Sequence, residues 1–277
     1  MIELGTLREI LRRLETLAPR EFTLHGFESR VEVGHQTEHE QIKTTVKRVL
    51  VATYPSRRVV TKASQMKANL LVTHRPLFPW AIDRVTGADL VRLRLLTKNY
   101  TSTYVMGSPW IAARDGLSDA LVEALGLTRV RDFTVVGDFS QSVPIGRVCT
   151  TSKDMNHSGF ANYVAAKLSI ENMVFTGDLD AQVEEVFVVA GSILDMPEIL
   201  EAKKQGAKTI VTGELAPDIR LLAREEDLNV LELGAFVTEE PGMRRLCNYL
   251  RLELEGENYT IEFEETRPVT RVLRPYK

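Results

Sequence analysis

An α/β fold with helices packed on mixed or mostly parallel sheets follows from two patterns in the chain, and a third divides it into two similar lobes. Short β-branched runs alternate with helical stretches. Several of those runs are apolar without interruption, which suits strands covered on both faces. Val49-Leu-Val-Ala-Thr-Tyr-Pro leads through a helical stretch to Ala68-Asn-Leu-Leu-Val-Thr-His-Arg. In the same way Val186-Phe-Val-Val-Ala-Gly-Ser leads to Ala207-Lys-Thr-Ile-Val-Thr-Gly-Glu. Each is a β-α-β unit ending in Val-Thr and a polar tip. The echo reads either as a duplication or as the common likeness of two β-α-β units, and both give two similar lobes.

The elements follow in order. Leu7, Ile10, Leu11, Leu14 and Leu17 fall at helical spacing with charged residues between them, so Thr6–Leu17 is an amphipathic helix stopping at Pro19. Further helices are expected over Arg57–Met66, Asp89–Lys98, Leu117–Leu125, Gly159–Leu168, Pro197–Gln205, Asp218–Glu226 and Glu240–Leu250. Strands are expected over Val49–Thr53, Asn69–Thr73, Thr103–Met106, Thr134–Val136 and Gly146–Thr150. Others are expected over Met173–Thr176, Val186–Ala190, Thr209–Thr212, Val230–Leu233 and Tyr259–Glu264. The polar stretch Gly137–Pro144 reads as a crossing between the lobes.

Composition sets the limits. The chain has 277 residues, 44% of them hydrophobic, enough for one large or two modest cores. A net charge of −3 offers no basic field, so neither nucleic acid nor an anionic membrane is an expected partner. No run approaches the roughly 18 apolar residues of a membrane span. The N-terminal helix is not a signal peptide, and a cytoplasmic protein is expected. Cys149 and Cys247, the two cysteines, form no C-x-x-C pattern and read as buried reduced thiols.

In open α/β sheets ligands bind beyond the carboxyl ends of strands. The polar or small strand ends here are Thr73-His74-Arg75-Pro76, Ala190-Gly191-Ser192, Thr212-Gly213-Glu214 and Gly234–Glu239. His74 reads as a metal ligand or proton shuttle, or as a loop histidine bonded to backbone. Arg75 beside it favours an anion over a cation. Glu239 reads as a functional carboxylate or as an acid in a first helical turn, with Thr238 as N-cap and Pro241 following. Gly191-Ser192 and Thr212-Gly213 read as turns or as backbone N–H donors to a phosphate. His35 and His39 would share a helical face and hold a metal, or lie on a solvated segment. His25 reads as a loop residue and His157 as a helix entrance. No Walker A or G-x-G-x-x-G pattern is present.

Taken together these motifs resemble the NGG-interacting-factor-like family, often labelled GTP cyclohydrolase 1 type 2. The resemblance runs through Leu17-Ala-Pro, Val49-Leu-Val-Ala, and Ala68-Asn-Leu-Leu-Val-Thr-His-Arg-Pro-Leu-Phe, where the family usually has His-His-Pro-Leu-Phe. It continues through Gly116-Leu-Ser-Asp-Ala-Leu, Leu125-Gly-Leu, Thr212-Gly-Glu and Gly234-Ala-Phe-Val-Thr-Glu, the last standing for Gly-His-x-x-Thr-Glu. The resemblance implies a second lobe inserted into the first, with residues 1–130 and 235–277 forming one and 131–234 the other. It also implies a ring-shaped homohexamer and a dinuclear metal site. Carried over, the usual ligands survive at His74 and Glu239, while Arg75, Ile111 and Ala235 stand where a histidine, an aspartate and a histidine are usual. A catalytic zinc normally needs about three protein ligands.

The expected function is therefore that of a divergent member with a degraded metal site, binding a small anion or acting as a scaffold. His74 and Glu239 would carry any catalysis or hold metal. Arg75, Ser192, Thr212, Glu214 and Thr238 would contact a small-molecule ligand, a nucleotide among the candidates. The expected cofactor is none, or one weakly held divalent ion. The alternative is a metal-dependent hydrolase acting on GTP or a related nucleotide, with His35 or His39 completing a rebuilt site. A third reading, a module for a protein partner, finds no distinct apolar patch in the sequence to support it.

Overall fold

The computed structural model describes residues 5–254 and 259–266, so the part of the 235–277 expectation beyond those bounds lies outside the described residues. The chain runs α1 (Leu7–Leu17), β1 (Arg30–Val33), α2 (Glu38–Lys43), β2 (Arg48–Ala52), α3 (Arg57–Gln65), β3 (Leu70–Thr73), α4 (Gly87–Lys98) and β4 (Ser102–Val105). Next come α5 (Gly107–Ala112), α6 (Leu117–Leu125), β5 (Thr128–Val136), β6 (Ser142–Thr150), α7 (His157–Leu168) and β7 (Val174–Thr176). It ends with β8 (Glu185–Val188), α8 (Met196–Lys204), β9 (Thr209–Thr212), α9 (Pro217–Glu225), β10 (Asn229–Glu232), α10 (Ala235–Glu253) and β11 (Thr260–Glu264). The fold is α/β with two mixed sheets, as the alternation implies.

The chain divides into two compact units. Among the described residues, the first takes 5–117, 136–144, 240–254 and 259–266, and the second takes 118–135 and 145–239. The first unit's sheet has the order β1-β4-β3-β2-β11, with β4, β3, β2 and β11 parallel and β1 antiparallel at the edge. Leu50, Ala52 and Leu71 pack one face of it against Val59, Val60 and Ala63 of α3 and Leu96 of α4. Val49, Val51, Leu70 and Val72 point to the other face and are equally buried. Both faces are thus dry, which is why these strands read as unbroken apolar runs.

The second unit's sheet has the order β5-β6-β8-β9-β10-β7. Its centre, β8-β9-β10, is parallel, while β6 runs antiparallel to β8 and β7 antiparallel to β10. The sequence echo extends well beyond one β-α-β unit. Leaving α2 aside, α1, β1, β2, α3, β3, α4 and β4 find counterparts in α7, β7, β8, α8, β9, α9 and β10, and the strand order β1-β4-β3-β2 recurs as β7-β10-β9-β8. Register pairs Thr73 with Val105 and Thr212 with Glu232. The tips are therefore equivalent, His74 to Gly213 and Arg75 to Glu214.

Several elements differ from expectation. β1 was not expected; its Val31 and Val33 alternate with Arg30 and Glu32, the pattern of an edge strand. Nor was α2, although Thr37 and Glu40 form a reciprocal capping box. α5 begins at Gly107 (φ +62°) and is entirely buried. Residues 137–141 turn the chain from β5 to β6, with Gly137 N–H donating to Gln141 O at 2.8 Å, and 136–144 belong to the first unit between two stretches of the second. α10 begins at Ala235, five residues earlier than the Pro241 signal suggested, and carries Pro241 inside it. Thr238 is consequently not an N-cap. Its hydroxyl faces back to the carbonyls of Gly234 (3.1 Å) and Ala235 (2.9 Å). Cys149 and Cys247 are free and buried, and burial pushes the Cys149 thiol up to about 12.

Two buried polar groups anchor the second unit. The Arg147 guanidinium, 1% exposed, donates to both carboxylate oxygens of Asp119 at 2.6 and 2.8 Å. Asp119→Ala is expected to destabilise the protein by about 3 kcal/mol, because it strips the main partner from a buried charge; a loss under about 1 kcal/mol in urea denaturation would refute this. His157 is fully buried, with Nδ1 2.8 Å from Ala181 O and Nε2 2.9 Å from Thr209 Oγ1. Burial lowers its pKa, so the folded protein holds it neutral to a lower pH than the unfolded chain does. Its contribution to stability is intact above the ordinary histidine pKa of about 6.5 and declines below it, by up to about 1.4 kcal/mol per pH unit. Denaturation curves at pH 7.5, 6.5 and 5.5 should show that slope reduced in His157→Gln.

Candidate functional site

In the first unit the candidate site is the tip of β3. Its backbone is held at almost every polar group. Thr73 Oγ1 donates to Arg75 O at 2.8 Å, and Arg75 N–H donates to Thr53 O at 3.0 Å. His74 O accepts from Gly107 N–H at 3.2 Å. Further along, the Glu32 carboxylate on β1 accepts the N–H groups of Leu77 (2.6 Å) and Phe78 (3.0 Å). Arg92 on α4 donates to Leu77 O at 3.1 Å and to Pro55 O at 3.0 Å. The N–H groups of Arg75, Leu77 and Phe78 are all spent within the fold. A ligand at this tip meets side chains rather than a cradle of N–H donors.

His74 is 1% exposed, and its ring packs edge-on against Phe27 with centroids 5.3 Å apart. Burial, reinforced by the neighbouring Arg75 charge, holds its pKa well below the ordinary value. The imidazole is therefore neutral at physiological pH, able to accept a hydrogen bond or ligate a metal but not to act as a cationic acid. Arg75 is half-buried beside it. Ile111, on α5, is 1% exposed.

In the second unit the tips of β8 and β9 and the first turns of α10 come together. Gly191 N–H donates to Thr238 Oγ1 at 3.0 Å, and Gly191 O accepts from Thr212 Oγ1 (3.1 Å) and Gly213 N–H (2.8 Å). The glycine N–H groups considered for phosphate are thus used internally, as are the hydroxyls of Thr212 and Thr238. Gly191 has φ +78°, and a Cβ there would lie 3.0 Å from Glu239 Oε1. The fully buried Glu239 carboxylate therefore lies directly over a backbone that has no side chain. Ser192 and Glu214 are exposed, and Glu214 Oε1 accepts the N–H of Ala235 at 3.4 Å.

His35 and His39 do not share a helix, because α2 starts after the Thr37 cap. His39 Nε2 lies 2.8 Å from Lys43 Nζ, and His35 Nδ1 lies 4.0 Å from Glu40. His25 is a loop residue with φ +55°, and its N–H donates to Asp138 at 2.9 Å. Phe27, Glu32 and Arg92 went unremarked in the sequence. A lone phenylalanine, a strand glutamate and a helix arginine carry no motif that marks them.

A family model for Duf34/NIF3 (NGG1p interacting factor 3) matches residues 5–269. The chain belongs to the NIF3 family. A GTP cyclohydrolase 1 type 2 homolog of Clostridium perfringens is 27% identical over 265 residues, covering 94% of this chain and 97% of the relative. Another, from Streptomyces coelicolor, is 31% identical over 241 residues, covering 85% and 82%. Among solved structures, a Bacillus cereus protein related to NIF3 superposes with a TM-score of 0.79 at 18% identity, over 98% of this chain and all of that one. Reduced HcgD from Methanocaldococcus jannaschii gives 0.74 at 22% identity, over 93% and 97%. At such identities the likeness establishes the fold.

Against the metal set that the NIF3 resemblance implies, this chain's residues do not fit. Arg75 brings a guanidinium, Ile111 a buried aliphatic chain and Ala235 a buried methyl group where donors would stand. Among the described residues no group of three or more His, Cys, Asp or Glu side chains is placed to hold a metal ion.

The contact of Gly191 with Glu239 can be separated from backbone strain. Gly206 also has a positive φ (+90°) but faces open space. Gly206→Ala should cost about 1 kcal/mol from strain alone, and Gly191→Ala should exceed it by about 1 kcal/mol or more. Equal losses in chemical denaturation would show that Glu239 does not press on the glycine.

Proposed function

We propose that this chain is a NIF3-family protein whose dinuclear metal centre is degraded, and that it binds a small anion or serves as a scaffold instead of catalysing hydrolysis. The observation that carries this reading is the pairing of a neutral buried His74 with Arg75 on one rigid tip. A guanidinium cannot ligate a metal ion, but it can bond a phosphate or a carboxylate. Arg75 is the anion-recognising group, and His74 offers a polar edge beside it. Ser192 and Glu214, the exposed residues of the second unit's tips, are assigned to ligand contact, while Thr212 and Thr238 act by holding the Gly191 backbone.

The relatives' name raises hydrolysis of GTP or a related nucleotide as the competing reading. It requires a rebuilt metal set with His35 or His39 recruited; among the described residues no group of three or more His, Cys, Asp or Glu is placed to hold a metal ion. The family resemblance also supports a homo-oligomer, a hexamer in its usual form, and a cytoplasmic location. No helix among the described residues is long and apolar enough to cross a membrane.

Protein purified without chelators or affinity tags should hold well under one transition-metal ion per chain by elemental analysis. Two ions per chain would overturn the degraded-site reading. Inorganic phosphate or a nucleotide should raise the thermal midpoint, and Arg75→Ala should abolish the rise; silence across all of them would remove the anion half. Steady GTP turnover on adding zinc or manganese would favour the hydrolase.

A further inference from the structure

We infer that Glu32 and Arg92 are positioning residues for the His74–Arg75 tip, acting as a two-sided clamp on Leu77 that sets where the His74 ring and the Arg75 guanidinium lie. The clamp grips both polar groups of one peptide residue. Glu32, on the edge strand β1, takes the Leu77 N–H at 2.6 Å with one carboxylate oxygen and the Phe78 N–H at 3.0 Å with the other. Arg92, on α4 and 6% exposed, takes the Leu77 carbonyl at 3.1 Å. The same guanidinium reaches Pro55 O at 3.0 Å and the Tyr54 hydroxyl at 3.1 Å, at the tip of β2, and is ion-paired with Asp89.

The placement matters because of what lies between. From Thr73 to Leu77 the chain leaves the sheet, and Pro76 in the middle has no N–H with which to anchor itself. Upstream, the tip is fixed by the bonds of Arg75 N–H to Thr53 and of His74 O to Gly107. Downstream, the fixing falls to Glu32 and Arg92. A charged carboxylate accepting two N–H groups and a guanidinium donating to two carbonyls are stronger restraints than neutral bonds. Each comes from a different element, so the tip is braced by β1 and α4 together and tied to the neighbouring β2 tip. A half-buried carboxylate and a buried guanidinium spent on backbone in one loop are more than turn formation requires, and a preorganised binding tip is the use that explains them.

Glu32→Gln keeps the shape but leaves one acceptor for two N–H groups. In that variant the Leu77 and Phe78 amides should exchange with deuterium roughly tenfold faster or more. The His74 ring resonances, sensitive to the Phe27 face at 5.3 Å, should shift. The apparent Kd for inorganic phosphate should rise several-fold. Arg92→Lys, which cannot span both carbonyls, should do the same and serves if Glu32→Gln fails to fold. Arg58→Ala, which breaks an exposed ion pair with Glu264, should leave all three unchanged. Faster exchange with unmoved His74 resonances and unaltered phosphate binding would overturn the inference, reducing the clamp to turn structure. Unaltered exchange would overturn it outright. The phosphate arm rests on the anion-binding reading; if the unmutated protein ignores phosphate, that reading falls and the His74 resonances decide the clamp.

Discussion

Parallel strands buried on both faces constrain everything else in this protein. Val49, Val51, Leu70 and Val72 on one face and Leu50, Ala52 and Leu71 on the other are all sealed from water. A polar side chain placed mid-strand there would need a partner that the layers do not provide. Polar chemistry is therefore pushed to the strand ends, where the chain must also satisfy backbone groups that have left the ladder. The two demands compete for the same few residues. At β3 they are met by dividing the work, with backbone groups bonded to Thr53, Gly107, Glu32 and Arg92, and the His74 and Arg75 side chains left to define the tip.

Electrostatics then decides what such a tip can hold. Two unit charges 4 Å apart interact by about 4 kcal/mol at an effective dielectric of 20, and a divalent ion doubles the repulsion from a guanidinium. A metal centre can absorb such a cost when anionic donors surround it. Here burial keeps His74 neutral, and Ile111, which the resemblance sets at a ligand position, carries no donor atom.

The sequence made the architecture legible where periodicity is strong. Most strand and helix positions follow from apolar runs and spacing, with ends displaced by a residue or a few. What escaped was short or governed by tertiary contacts. β1 has four residues, half of them charged, and α2 shows a capping box but no apolar stripe. α10 misled because Pro241 is ordinarily a first-turn residue. Here the Thr238 hydroxyl, bonded to the Gly191 N–H, joins the helix's earlier turn to β8, so tertiary contact carries the helix across the proline. His74, Arg75 and Glu239 could be singled out from position and resemblance. Glu32 and Arg92 could not, because their partners are backbone groups 45 and 15 residues away in the chain.

The two units show how little of function is written in a fold. Their tips are built on the same register, and the glycine that ends the third parallel strand bonds back in the same way in each. Gly107 donates to His74 O and Gly234 to Gly213 O. Yet the equivalent side chains are His74 and Arg75 in one unit and Gly213 and Glu214 in the other, a buried imidazole and a cation against no side chain and an anion. Gly213 could not be a histidine where it stands, since even a Cβ would come within 2.5 Å of Gly191 O. The β8 tip carries the Gly191 backbone into the space that a side chain at position 213 would need. The position of His74 is therefore a property of one unit's loop packing rather than of the shared scaffold.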